Sequence, residues 1–156
     1  MVMPKNLSLF KTPESQAKYM AAYDAALALL PVPYDSFDIS TRFGKTHIIA
    51  SGSKGAPPLV LLHATSASST MWFPNIAELS REYRVYALDI IGDAGKSVVS
   101  YPPQNKSDYA LWLTDVFDEI NVIQADVVGA SYGGWVSLTL ALYARDCSRS
   151  KPKLFC

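Results

Sequence analysis

Three short, largely apolar runs constrain this chain more than anything else in it. They are Leu59-Val60-Leu61-Leu62, Arg84-Val85-Tyr86-Ala87-Leu88 and Ala125-Asp126-Val127-Val128-Gly129. Each has strand length and lacks the strict polar–apolar alternation of a sheet with one wet face, so each predicts a parallel strand covered on both sides. Helical segments follow them: Trp72 to Arg81, Ser107 to about Ile120 with Leu111, Val116 and Phe117 on its apolar face, and Gly134 to Ala144. Strand and helix alternate three times without an internal repeat. That order predicts an α/β fold on a mainly parallel sheet.

The residues upstream add two elements. Thr12-Pro13-Glu14 reads as a helix start, with Thr12 as cap, proline in the first turn and an acid at the positive dipole end. Met20, Tyr23, Leu27 and Leu30 then form one apolar stripe, and Pro31 and Pro33 end the helix. The period next switches to two. Phe37 to Phe43 alternates, Gly44-Lys45 is expected to turn, and Thr46 to Ala50 continues extended, which predicts an antiparallel β-hairpin. After Ala144, the stretch Arg145 to Lys153 has neither period, so no further strand is expected there. The organisation read from this is an N-terminal segment 1–12, a partial α/β domain 13–144 and an irregular, disordered tail 145–156.

Composition excludes several function classes. A formal net charge of +0 leaves no basic surplus to neutralise phosphates, so no nucleic-acid partner is expected. The first residues lack a signal-peptide core, and the apolar stretch Met20 to Leu30 is broken by Asp24, so nothing is expected to enter a membrane and the expected location is cytoplasmic. Both cysteines, Cys147 and Cys156, fall in the tail and say little about redox compartment. Metal-ligand spacing is absent, and no metal or cofactor is expected.

The residues that carry chemistry are Gly129-Ala130-Ser131-Tyr132-Gly133, a G-x-S-x-G pattern. A buried strand runs into it and a helix leaves it, the context in which this pattern is a nucleophile elbow. A serine at the tip of so sharp a turn takes strained backbone angles, and the chain passes itself closely enough that the positions two before and two after must be small. Ser131 is thus the candidate nucleophile, and the Tyr132 N–H can donate to a developing oxyanion.

With His63-Ala64-Thr65 at the end of the first parallel strand, the sequence resembles the α/β-hydrolase superfamily. The likeness extends to Asp89-Ile90-Ile91-Gly92-Asp93-Ala94-Gly95-Lys96-Ser97, which matches a D-x-x-G-x-G-x-S loop with one extra residue before the second Gly. Arg42 to His47 and Met71 to Asn75 make it most similar to a bacterial carboxylesterase branch, over about residues 13 to 144. The resemblance implies a second oxyanion donor, the backbone N–H of Thr65, although Ala64 stands where the family has Gly. It implies hydrolysis of small-molecule esters through an acyl-enzyme on Ser131, with an acid and a histidine following in chain order. The sheet is then expected to be truncated after the elbow helix, leaving Ala125 to Gly129 as an open edge through which copies could self-associate.

Other candidates are set aside. Gly44-Lys45-Thr46 and Gly95-Lys96-Ser97 imitate the end of a phosphate-binding loop, but Ile39 and Ile90 stand where its first Gly belongs. His47, His63, Asp89 and Asp126 read as structural residues. Two readings stay open: a carboxylesterase-type enzyme whose remaining triad comes from a second chain or a longer product, and a non-catalytic α/β fragment, either a gene remnant or an interaction module. The abrupt change at Ala144-Arg145-Asp146-Cys147 is what a shifted reading frame would produce.

Overall fold

A computed structural model describes residues 9–143 and 153–155. Helix α1 (Pro13–Leu27) opens on a reciprocal cap, in which Thr12 and Ser15 each bond the other's backbone N–H. Strands β1 (Tyr34–Thr41) and β2 (Gly44–Ser51) form the hairpin. β3 (Pro58–Leu62) leads through a 3₁₀ turn (Ser69–Trp72) into α2 (Phe73–Leu79). β4 (Arg84–Leu88), the two-residue β5 (Val98–Val99) and α3 (Lys106–Glu119) follow, then β6 (Asp126–Gly129), α4 (Tyr132–Tyr143) and β7 (Lys153–Phe155). The sheet order is β1-β2-β4-β3-β6-β7, with β5 on β2. β4, β3, β6 and β7 run parallel, β2 runs antiparallel to β4, and β1, antiparallel to β2, points the same way as the parallel set.

The continuous apolar runs follow from cover on both faces. Leu59 and Leu61 join Val85 and Ala87 in a core with Tyr23 and Leu27 of α1 and Ile76 of α2. Val60 and Leu62 point the other way, toward Trp112, Leu113, Val116 and Phe117 of α3 and Val136 and Leu140 of α4. With alternate side chains entering opposite cores, neither parity has a polar face to present.

Three expectations need correction. The hairpin turns at Arg42 and Phe43, not at Gly44-Lys45, and Thr41 pairs with Gly44. Gly44 serves instead as a contact point: at φ 137°, a Cβ there would lie 2.1 Å from the Val98 carbonyl oxygen of β5. The stretch expected to be irregular contains β7, whose Lys153–Phe155 backbone pairs with Asp126, Val127 and Val128. β6 is therefore flanked on both sides and is not an open edge; three residues are too few to show a period, but a strand needs only a ladder to join. The rest of the tail, with Cys147 and Cys156, and residues 1–8 lie outside the described residues. Among the described residues no helix is long and apolar enough to cross a membrane.

Candidate active site

Register builds the site. Leu62 pairs with Gly129 at the ends of β3 and β6, so the loop from His63 and the turn through Ser131 leave the sheet side by side. The Ala130 N–H donates to the Leu62 carbonyl at 3.0 Å, the Gly133 N–H to Ala130 at 2.9 Å and the Trp135 N–H to Ser131 at 3.1 Å, so strand passes into helix across two residues, Ala130 and the one at the tip of the turn. The residue at the tip is Ser131. It takes φ 51°, in the left-handed region that side chains other than Gly, Asn and Asp rarely adopt, and it is exposed. The flanking glycines are required by space. A Cβ on Gly129 would lie 2.2 Å from the Gly133 carbonyl carbon, and one on Gly133 would lie 2.2 Å from the Leu62 oxygen. α4 starts at Tyr132, two residues before the expected start, so its positive end is directly beside the serine.

Thr65 occupies an exposed turn after β3, followed by Ser66 at φ 61°. Among the described residues, the backbone N–H groups of Thr65 and Tyr132 have no protein acceptor. Two carboxylates of the loop after β4 hold this turn, and sequence reasoning missed one of them. Asp93 accepts the Ser66 N–H at 3.1 Å to each oxygen and the Ala94 N–H at 2.7 Å. Asp89, fully buried, accepts the Ser69 N–H on one oxygen and the Lys96 N–H on the other, both at 2.7 Å. The D-x-x-G motif was the available signal for Asp89; nothing in the sequence marked Asp93, whose partner lies 27 residues away.

His63 is fully buried beside this turn. Its Nδ1 donates to the Ala64 carbonyl at 2.8 Å and its Nε2 accepts the Ile90 N–H at 2.9 Å. A carbonyl can only accept and an amide only donate, so the tautomer is set and neither ring nitrogen is spare. His47 lies elsewhere, on β2, with Nδ1 2.6 Å from Asp38 Oδ1 and Nε2 3.1 Å from Ser36 Oγ. Asp126 is half-buried in β6, opposite Leu59. Next to Ser131, Tyr132 stacks on Trp135, and Tyr109 of α3 stands edge-on to both. Burial first, then the neighbouring Tyr109, pushes the Tyr132 hydroxyl well above the ordinary phenol range, so it stays neutral. Among the described residues no cluster of three or more His, Cys, Asp or Glu could hold a metal.

The family model described as alpha/beta hydrolase family matches residues 59–152. Two Bacillus subtilis proteins, carboxylesterase nap (described as uncharacterized) and carboxylesterase YbfK, are each 50% identical over 125 residues, 80% of this chain and 42% of theirs. The crystal structure of naproxen esterase (carboxylesterase NP) from the same organism superposes with a TM-score of 0.83 at 46% identity, over 91% of this chain and 49% of that one. Carboxylesterase CesB (YbfK) gives 0.82 at 48% identity, over 85% and 46%. The chain therefore spans less than half the length of these relatives.

Proposed function

The chain belongs to the α/β-hydrolase family, and we propose that it carries the nucleophile half of a carboxylesterase-type serine hydrolase acting on small-molecule esters in the cytoplasm. Ser131 is the nucleophile, Gly129 and Gly133 form its elbow, and the N–H groups of Thr65 and Tyr132 are the oxyanion donors. The single observation that carries this is Ser131 at φ 51°, exposed between β6 and α4 with both flanking glycines in backbone contact. In this reading Oγ adds to the ester carbonyl as its proton passes to a base, and the two N–H groups take the charge developing on oxygen. Collapse breaks the bond to the leaving oxygen, which takes that proton and departs as the alcohol to leave an acyl-serine.

A serine hydroxyl is a weak nucleophile at neutral pH and needs a base. The sequence has two histidines. His63 has both ring nitrogens engaged by backbone groups, and His47 is held by Asp38 and Ser36 on a different part of the sheet. The triad base and its acid are then supplied from outside this sequence, by a longer product or a second chain. These same two engagements favour the second reading, a non-catalytic fragment that has the elbow without the reaction.

Labelling with a fluorophosphonate, mapped to the modified residue, tests the proposal. Wild type should label slowly at Ser131, with the residual enhancement on the order of 10³–10⁴ over water that an oxyanion hole and binding retain without a triad. Label on that residue should vanish in Ser131→Ala and persist in folded His63→Ala. No label on Ser131 of folded wild type would overturn the nucleophile assignment. Rapid labelling that disappears in folded His63→Ala would make His63 the base and the chain a minimal enzyme.

A further inference from the structure

Away from the elbow, the hairpin brings together a second serine, a histidine and an aspartate in hydrogen-bond sequence. Asp38 of β1 pairs directly with His47 of β2, and Ser36, two residues before Asp38, faces the same side. His47 Nδ1 is 2.6 Å from Asp38 Oδ1 and its Nε2 is 3.1 Å from Ser36 Oγ. An ionised carboxylate can only accept, so Nδ1 carries a proton; in the neutral ring Nε2 is then bare and accepts from the Ser36 hydroxyl. The imidazole is buried, under the edge of the Tyr23 ring 6.0 Å away, and bonded at both ring nitrogens, so the ring is held rather than free to turn. Ser36 itself is exposed. This is the arrangement that activates a nucleophile: hydroxyl and base within reach, and the base oriented by a third group.

We propose that Ser36 is a second, independent nucleophile, with His47 as its general base and Asp38 as the residue that orients the base. β2, β4 and β3 separate β1 from β6, on the order of 19 Å at the usual strand spacing, so this centre does not belong to the Ser131 site. Ser36 lies on an open strand face, not at a helix start, so its substrates are small donors with good leaving groups: aryl esters and phosphonyl fluorides. Ser36 Oγ bonds to the carbonyl carbon or phosphorus while its proton passes to His47 Nε2. The bond to phenoxide or fluoride breaks, and the leaving group takes that proton.

The experiment is fluorophosphonate labelling of the full chain, with peptide mass mapping that separates Ser36 from Ser131. Wild type and Ser131→Ala should both gain the phosphonyl mass on Ser36, and Ser36→Ala should lose it there while leaving Ser131 as it was. His47→Gln should slow Ser36 labelling on the order of 100-fold, and Asp38→Asn roughly 10-fold. Asp38 is exposed, so its variant keeps the test open if His47→Gln does not fold. Label confined to Ser131, or Ser36 labelling unchanged in Asp38→Asn, overturns the proposal and leaves the Ser131 reading intact. Label confined to Ser36 does the reverse.

Discussion

Ser131 carries a backbone conformation that costs a residue with a side chain on the order of 1 kcal/mol. Ser131→Gly should therefore stabilise the fold by about that amount while removing the proposed nucleophile, and Ser131→Ala should leave stability nearly unchanged. The opposite is expected at the flanking glycines, where an added methyl would meet backbone that cannot withdraw. Gly133→Ala should cost at least about 2 kcal/mol, read as a lower urea midpoint at constant slope. His63→Ala leaves the buried Ile90 N–H without its acceptor, and a loss of about 1–3 kcal/mol is expected from that alone. If Ser131→Gly destabilised the chain instead, the account of the elbow as stored strain would be wrong.

At the scale of elements, α3 is tied to the hairpin by polar contacts as well as by packing. Trp112 donates its ring N–H to Thr46 Oγ1 at 2.7 Å inside the core, and Arg42 in the β1–β2 turn grips Asp115 through Nε and Nη2. Thr46→Val keeps the shape and removes the acceptor, so it should cost about 1–3 kcal/mol by equilibrium unfolding. β1 is tied to β4 across β2 by Asp35 and Arg84, 2.7 Å apart. The hydrogen bond from Arg84 holds the Asp35 carboxyl below its ordinary value. A folded-state pKa below the unfolded one gives stability that is present above the ordinary carboxylate range and lost as pH falls through the folded value. The acid limb of a pH–stability curve should flatten in Asp35→Asn; an unchanged limb would show that the pair is inert.

For the whole molecule, the balance between covered and uncovered apolar surface matters most. α1 and α2 cover one face of the sheet and α3 and α4 the other, but α4 also presents Leu138, 47% exposed, and Leu142, 62% exposed, one turn apart on its outer side. Such a stripe favours contact with a second copy. Sedimentation should show concentration-dependent association that Leu138→Lys with Leu142→Lys removes without lowering the melting temperature. A wild-type chain that stays monomeric at high concentration would refute this.

Much of this was legible in the residues because it depends on local chemistry. Apolar runs mark doubly covered strands, Thr12-Pro13 marks a helix start, and Gly129-Ala130-Ser131-Tyr132-Gly133 marks a turn that only small flanking residues permit. Each signal lies within a few positions of its effect. What the sequence left open depends on partners far along the chain. A turn at Gly44-Lys45 would have set Asp38 opposite Ser51; the turn at Arg42-Phe43 sets it opposite His47, and so builds the Ser36–His47–Asp38 chain. Local composition could not choose between those registers, because both keep the same side chains on the same face. Asp93 meets Ser66, the Nε2 of His63 meets the Ile90 N–H, and β7 finds β6 only when the sheet brings them together. A hydrogen bond needs its two atoms within about 3 Å, and that condition is decided by the tertiary fold.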